Sequence, residues 1–305
     1  MTRVLVTGAT GYVGSRLVQR LVASEAYQVS VLVRPTSDLT RLGKAREAVQ
    51  ILPTEGDVSS LTQAMKEARP EAVVHLASLY LSQHTPADVG PLVDSNVRFG
   101  ACLLEAMVQA GVTRLLNTGT AWETMDGPPD YRPACLYAAT KRAFDALLCF
   151  YEDAYDLRSL TLKLYDTYGP DDWRPKLFSL LKRSVASGES IPFSPGEQLL
   201  DLTHVDDLTD AFERGIRSLC SADAPRHREL HVGSGKGRSL KEIVSLFESV
   251  GGVKANLQWG ARPYRDREVM RAVADPSEAR TVLGWEARID LREGIRAAFF
   301  QETDR

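Results

Sequence analysis

A chain of 305 residues, 44% hydrophobic and 25% charged, has the composition of an ordinary soluble globular protein, long enough for one large domain or two interleaved ones. A net charge of −3 gives no footing to nucleic acid or to an anionic membrane, and no apolar run approaches the length of a bilayer span. Cys102, Cys135, Cys149 and Cys220 show no CxxC spacing, and the five histidines form no HxxxH cluster. They read as reduced, mostly buried thiols and as no metal site.

The chain opens MTRVLVTGATGYVG. Val4–Thr7 predicts a strand, and an amphipathic helix is expected over Tyr12–Ala23. Gly8, Gly11 and Gly14 stand between and within them at three-residue spacing. Gly8 permits the tight turn, Gly11 lets a pyrophosphate approach the backbone, and Gly14 lets helix and strand pack closely. The helix start then directs N–H groups and a partial positive charge at the phosphates. Thr10, Tyr12 and Val13 stand in the same turn and belong to the expected cofactor contacts. A strand beginning this early leaves no room for a secretion signal, so the expected location is cytoplasmic.

The second strand, Val29–Arg34, decides the cofactor. NAD binders usually end it on Asp or Glu, which accepts from the ribose 2′-hydroxyl. Arg34 cannot accept that bond but can pair with a 2′-phosphate. NADP(H) is therefore favoured over NAD(H). Further strands are expected at 50–52, 72–76, 114–117 and 159–164, with helices at 60–69, 88–110 and 137–155. This alternation predicts an α/β fold with a doubly wound parallel sheet. Beyond it the pattern loosens, with loop signals at 169–172 and 192–196 and helices expected at 176–187, 205–218, 240–250, 276–283 and 291–300. The division expected is a dinucleotide-binding domain, 1–165 plus 202–234, and a smaller substrate lobe, 166–201 plus 235–305.

Tyr137-Ala138-Ala139-Thr140-Lys141 places Tyr and Lys one helical turn apart on one face. A tyrosine beside an ammonium is a ready acid/base, because the cation stabilises tyrosinate and lowers the Tyr pKa. The pair follows Thr118-Gly119-Thr120, a strand end that can hold a hydroxyl beside it.

At this point the chain resembles the extended short-chain dehydrogenase/reductase family, in its nucleotide-sugar epimerase/dehydratase branch. The motifs run in order over nearly the whole length: TGATGYVG at 7–14, GDV at 56–58, HLAS at 75–78, Asn96, Thr120, YxxxK at 137–141, YGP at 168–170 and HVDD at 204–207. The resemblance implies a Rossmann-type sheet in which Gly8, Gly11 and Gly14 hold the pyrophosphate and Asp57 and Val58 contact adenine. Leu76, Ala77, Ser78 and Asn96 lie along the cofactor. Thr120 bonds the substrate carbonyl, Tyr137 exchanges its proton, and Lys141 tunes Tyr137 and holds the nicotinamide ribose. It also implies a homodimer, with Leu147, Leu148 and Phe150 as contact residues or as core.

A narrower likeness lies in DTYGP at 166–170 and DDWRPK at 171–176, which look like the reductases of 4-keto-6-deoxyhexose nucleotides, such as CDP-abequose and CDP-paratose synthases. It implies substrate contacts from Asp166, Arg174, Lys176, Arg262 and Arg265, the last two suited to a diphosphate because guanidinium binds it bidentately. Most of the family has Asn where this chain has Asp166. The leading expectation is reduction of the 4-keto group of a dTDP- or CDP-linked 4-keto-6-deoxyhexose. An NAD-dependent 4-epimerase is the alternative, and an NADP-binding redox sensor without turnover a third reading. A 4,6-dehydratase fits less well, since relatives place Asp-Glu after the threonine and Ala121-Trp122 stand here. Cys135, near Tyr137, is expected to be buried.

Overall fold

The computed structural model describes residues 1–125, 131–222, 224 and 226–301. Its centre is a seven-stranded parallel sheet. In chain order the strands are β1 (Thr2–Thr7), β2 (Tyr27–Val33), β3 (Gln50–Pro53), β4 (Ala72–His75), β5 (Arg114–Thr120), β6 (Arg158–Leu164) and an edge strand, Arg228–Val232. In space they run edge strand, β6, β5, β4, β1, β2, β3. The chain therefore builds one half outward from β1, then returns to β4 and builds the other half. The crevice between β1 and β4 is the switch point where ligands bind in open α/β sheets.

Helices cover both faces, as buried parallel strands require. On one side α1 (Tyr12–Ala23) and α7 (Val205–Leu219) pack Leu17, Val18, Leu21, Phe212 and Ile216 against Val4, Val6 and Val31. On the other, α2 (Val58–Ala68), α4 (Phe99–Ala110) and α5 (Leu136–Tyr155) pack Leu61, Met65, Leu103, Met107 and Phe144 against Leu5, Val73 and Leu115. Local signals set the ends. The Asp57 carboxylate accepts from Ser60 N at 2.9 Å and starts α2, while Gly111, at φ +70°, stops α4.

The expected helix over 88–110 runs without a break as α3 (Val89–Val93), a π-helical turn Asp94–Arg98 and α4. The wider turn carries Asn96, whose side chain is buried. Beyond β6 lie α6 (Leu177–Ser187), α8 (Leu240–Gly251), α9 (Ser277–Leu283) and α10 (Leu291–Phe299), with paired short strands such as Asp166–Tyr168 beside Leu202–His204. Phe178, Leu181, Phe193, Ile243, Phe247 and Ile295 form a separate apolar cluster there. No described helix is long and apolar enough to cross a membrane.

Candidate active site

The glycine turn closes against β4. Gly8 has φ +68°, and a Cβ there would stand 2.5 Å from Ala77 N. A Cβ on Gly14 would stand 2.1 Å from Gly8 O, so α1 lies directly on the turn. Gly11 is exposed and caps α1 without a side-chain hydrogen bond, which leaves a surface of bare backbone at a helix N-terminus. That surface fits the pyrophosphate of a dinucleotide. Thr7 ties the crevice shut from below: its hydroxyl accepts from Leu76 N and Ala77 N and bonds His75 Nδ1 at 2.9 Å.

Around this turn the expected cofactor residues fall into two groups. Thr10, Val13, Val58, Leu76 and Ala77 are half-buried near the crevice, and Asp57 is exposed but already engaged as the α2 cap. Arg34 is exposed just beyond β2, in a turn closed by Ser37 Oγ accepting from Arg34 N at 3.1 Å, and its side chain makes no ion pair among the described residues. Tyr12 and Asn96 have structural partners of their own. Tyr12 is buried, donates to Pro170 O at 3.1 Å, and lies edge-on to Trp173 and beneath the Arg174 guanidinium. Asn96 accepts from Leu79 N and Ser78 Oγ and donates to Leu79 O and Thr140 Oγ1. It pins the segment after β4 to α5, and so sets where Ser78 stands relative to Tyr137.

Tyr137 opens α5, and its hydroxyl bonds the side chains of Ser78 and Thr120. Part of the ring is accessible, but the protein crowding the hydroxyl pushes its pKa above the ordinary 10. The Ser78 and Thr120 hydroxyls pull the other way, and burial wins. Lys141 is buried and its pKa is pushed down by that burial, against the pull of Asp145 and Glu123. The sequence suggested an ammonium that lowers the tyrosine; here desolvation of both groups outweighs it.

Thr120 ends β5, and its hydroxyl accepts from Trp122 N at 3.3 Å. Glu123 accepts from Thr120 N, then turns into the sheet, where it forms a close ion pair with Lys163. Both side chains are buried. Tyr80, which the sequence gave no reason to choose, stacks edge-on to Tyr137 with centroids 5.1 Å apart and lies 5.7 Å from Trp122. Tyr80 and Trp122 line a cavity of about 1160 Å³ that neither Thr120 nor Tyr137 lines; Tyr137 meets it through its ring contact with Tyr80.

The cavity brings together Asp166, Arg174, Lys176, Arg262 and Arg265 from two distant stretches of chain. Three of the four cations already have partners. Arg174 grips Asp172 at 2.7 Å, Arg265 grips Glu268 at 3.0 Å, and Lys176 lies 3.4 Å from Asp166. Arg262 is exposed and forms no ion pair among the described residues. Cys135, expected to be buried, is half-buried and lines the cavity at the start of α5, and Cys149 is exposed rather than buried. All four thiols are free. Of the residues considered for a dimer contact, Leu148 is in the core and Phe150 is 57% exposed.

The profile of the NAD dependent epimerase/dehydratase family matches residues 4–230, which includes the glycine turn, Thr120, Tyr137 and Lys141. Among characterised proteins, CDP-abequose synthase of Salmonella muenchen is 27% identical over 295 residues, covering 96% of each chain. UDP-glucose 4-epimerase of Mycolicibacterium smegmatis is 29% identical over 307 residues, again covering 96% of each. Among solved structures, MoeE5 in complex with UDP-glucuronic acid and NAD superposes with a TM-score of 0.81 at 30% identity, with 96% of each chain covered.

Proposed function

We propose that this chain, which belongs to the NAD dependent epimerase/dehydratase family, reduces the 4-keto group of a dTDP- or CDP-linked 4-keto-6-deoxyhexose with NADPH. Its relatives act on nucleotide sugars, and the chain is an oxidoreductase-type enzyme of that family. The observation that carries the reductase reading is the fate of the acids around Thr120 and the cavity. Glu123, the acid nearest Thr120, is committed to Lys163 inside the fold, and Asp166, Asp172 and Glu268 are each held by a cation. An elimination across C5 and C6 needs a spare acid/base pair beside Tyr137, and the acid that follows Thr120 is not spare. Similarity to CDP-abequose synthase supports the same reading.

When bound, the reduced nicotinamide supplies the hydride. Tyr137 protonates the oxygen that develops negative charge, and Thr120 holds that oxygen by a second hydroxyl. Lys141 holds positive charge beneath the pair. Arg262, unpaired at the cavity wall, takes the diphosphate. Arg34 supports NADPH, standing exposed where an NAD binder carries an acid. The exposed Phe150 and Tyr155 on α5 suit a homodimer contact. The cytoplasm, the compartment that supplies NADPH and nucleotide sugars, is the proposed location.

The second reading is a 4-epimerase, which the similarity to UDP-glucose 4-epimerase and to NAD-bound MoeE5 favours. One experiment separates them. Incubation with dTDP- or CDP-4-keto-6-deoxyglucose and 4-deuterated NADPH should consume one NADPH per product and leave deuterium at C4 in one configuration. Interconversion of UDP-glucose and UDP-galactose without added reductant would assign the chain to the epimerases instead.

A further inference from the structure

Cys149, Glu152 and His227 meet in space outside the cavity and outside the motifs around the glycine turn and Tyr137. Cys149 stands twelve residues along α5 from Tyr137, about 18 Å at the helical rise of ~1.5 Å per residue. Cys149 and Glu152 are three residues apart and share a face of that helix. His227 immediately precedes the edge strand Arg228–Val232, with φ +42°. An ion pair between Arg226 and Asp156 fastens that turn to the end of α5. His227 Nδ1 lies 2.5 Å from Glu152 Oε2 and 3.8 Å from Cys149 Sγ, so one ring nitrogen faces both side chains. The other oxygen of Glu152, Oε1, accepts from Ser159 Oγ of β6. Among the described residues, no other three His, Cys, Asp or Glu side chains bring ligand atoms within 4.8 Å of one another.

We propose that Cys149, Glu152 and His227 form a site for a divalent metal ion of the zinc class, bound by Sγ, Oε2 and Nδ1 with water in the fourth position. Thiolate, carboxylate and imidazole are the donors that zinc takes, at about 2.3 Å from sulfur, 2.0–2.2 Å from oxygen and 2.0–2.1 Å from nitrogen. Tetrahedral bonds of those lengths set sulfur and nitrogen about 3.6 Å apart, and nitrogen and oxygen about 3.4 Å apart. The first pair already stands at 3.8 Å, and the second must open from 2.5 Å by about 0.9 Å. The His227 side chain is 49% exposed, so rotation of its ring supplies that opening without moving the backbone. On binding, the Cys149 thiol gives its proton to water and the thiolate bonds the ion. The neutral imidazole keeps its proton on Nε2, which leaves the Nδ1 lone pair for the metal.

The surroundings fit a metal better than a reactive thiol. Ser159 holds the Glu152 carboxylate from behind, as outer partners do at metal sites, and the Glu152 side chain is only 11% exposed, so one ligand is set in advance. Partial burial first, then Glu152, Asp145 and Glu229, push the Cys149 thiol up, against the pull of Arg142. A negative setting of that kind keeps the proton on a free thiol, which weakens it as a nucleophile, and it attracts a cation. Cys149 is exposed, so an ion reaches it directly from water. The sequence carries no metal signature here, because two ligands come from one helix and the third from a turn 75 residues beyond Glu152. A bound ion joins α5 to the turn before the edge strand, and binding only the folded chain it stabilises the fold.

The test is titration of the full chain, freed of metal by a chelator, with Co²⁺ and then Zn²⁺. One Co²⁺ should bind per chain, with a thiolate-to-cobalt charge-transfer band in the near ultraviolet and the strong visible bands of a four-coordinate ion. Zn²⁺ should displace it, abolish both signals and raise Tm. Cys149→Ser, a change of one atom at an exposed position, should keep the metal-free Tm, remove the charge-transfer band and lose the Tm rise with Zn²⁺. Cys135→Ser should retain all three signals. Ser159→Ala should weaken Co²⁺ binding ~10- to 100-fold, the usual cost of losing an outer partner, and His227→Ala at least as much. Wild-type protein without the charge-transfer band, a band that survives Cys149→Ser, or equal stabilisation of wild type and Cys149→Ser by Zn²⁺ would each overturn the site. None of these readouts uses a sugar nucleotide, so their failure leaves the reductase reading as it stands.

Discussion

Gly11 and Gly14 belong to one motif, yet the structure assigns their substitution by alanine opposite consequences. A Cβ on Gly14 would stand 2.1 Å from Gly8 O, 2.9 Å from Gly8 C and 3.0 Å from Ala9 Cα, all backbone. Ordinary contact begins at 3.4 Å, so helix and turn must part by about 1.3 Å. Alanine within a helix gains ~1 kcal/mol over glycine. Overpacking against backbone that cannot swing aside costs ~3 kcal/mol. The second effect wins, and Gly14→Ala should lose about 2 kcal/mol, a Tm fall of roughly 3 °C for a chain of this size. At Gly11 the nearest atom is Gly8 O at 3.2 Å, and the residue is exposed. The strain is slight and Tm should move by less than ~2 °C. The new methyl instead stands on the bare backbone proposed to receive the pyrophosphate. Loss of one charge-assisted contact, ~1.5–3 kcal/mol, weakens NADPH binding ~10- to 100-fold. Thermal unfolding and NADPH fluorescence titration of both variants read the two quantities separately. Gly11→Ala that binds NADPH within twofold of wild type, or that unfolds as early as Gly14→Ala, would refute the reasoning.

Tyr137→Phe should lower turnover ~10²- to 10⁴-fold with little change in substrate affinity, and a variant above half of wild-type turnover removes Tyr137 from the mechanism. Arg34→Ala should erode the preference for NADPH over NADH in kcat/KM, and an unchanged ratio leaves Arg34 a loop residue. Arg262→Ala should raise KM for the sugar nucleotide ~10- to 100-fold and barely alter that for NADPH, since a charge-assisted contact is worth ~1.5–3 kcal/mol; equal effects on both ligands contradict the assignment. Burial pulls His75 down to about 3, and the unfolded chain holds it near 6.5. Between those values the unfolded chain binds a proton that the fold refuses, so stability falls as pH drops through the window, by ~1.4 kcal/mol per unit. Urea unfolding at pH 7, 6 and 5 should show His75→Gln losing less stability than wild type by that amount per unit below 6.5, and parallel losses would clear His75.

What the sequence made legible is what is local. A β-branched run followed by glycines at three-residue spacing specifies a strand, a turn and a helix within fourteen residues, and β1, the turn and α1 stand there. The alternation of apolar runs likewise fixed the parallel sheet, because strands buried on both faces carry no polar alternation. The π-helical turn at Asp94–Arg98 has no local signature; it exists because Asn96 must reach Leu79 and Thr140 at once. Tyr80 escaped notice for the same reason, since nothing near it in the sequence announces Tyr137. The ion-pair cluster behind α5 joins residues 123, 145, 163 and 229, and one sign of it was visible: Lys163 interrupts the apolar strand Arg158–Leu164 in a position with no access to water. A lone charge in a buried strand demands a partner, and the partner cannot be read from the strand itself.

The same distance between cause and residue bears on how the two halves work together. Tyr12 belongs to the glycine motif by sequence, but its hydroxyl donates to Pro170 and its ring packs against Trp173 and Arg174. Arg16, one turn on, bonds Pro170 O and Asp171, both at 2.9 Å, and Arg41 stacks on Trp173 at 3.9 Å. Tyr12, Arg16 and Arg41 therefore hold the 170–174 loop, and Arg174 of that loop lines the cavity beside Lys176. Tyr12 and Arg16 thus tie α1 directly to that wall of the cavity, through contacts between residues more than 150 positions apart that no local pattern in the sequence announces.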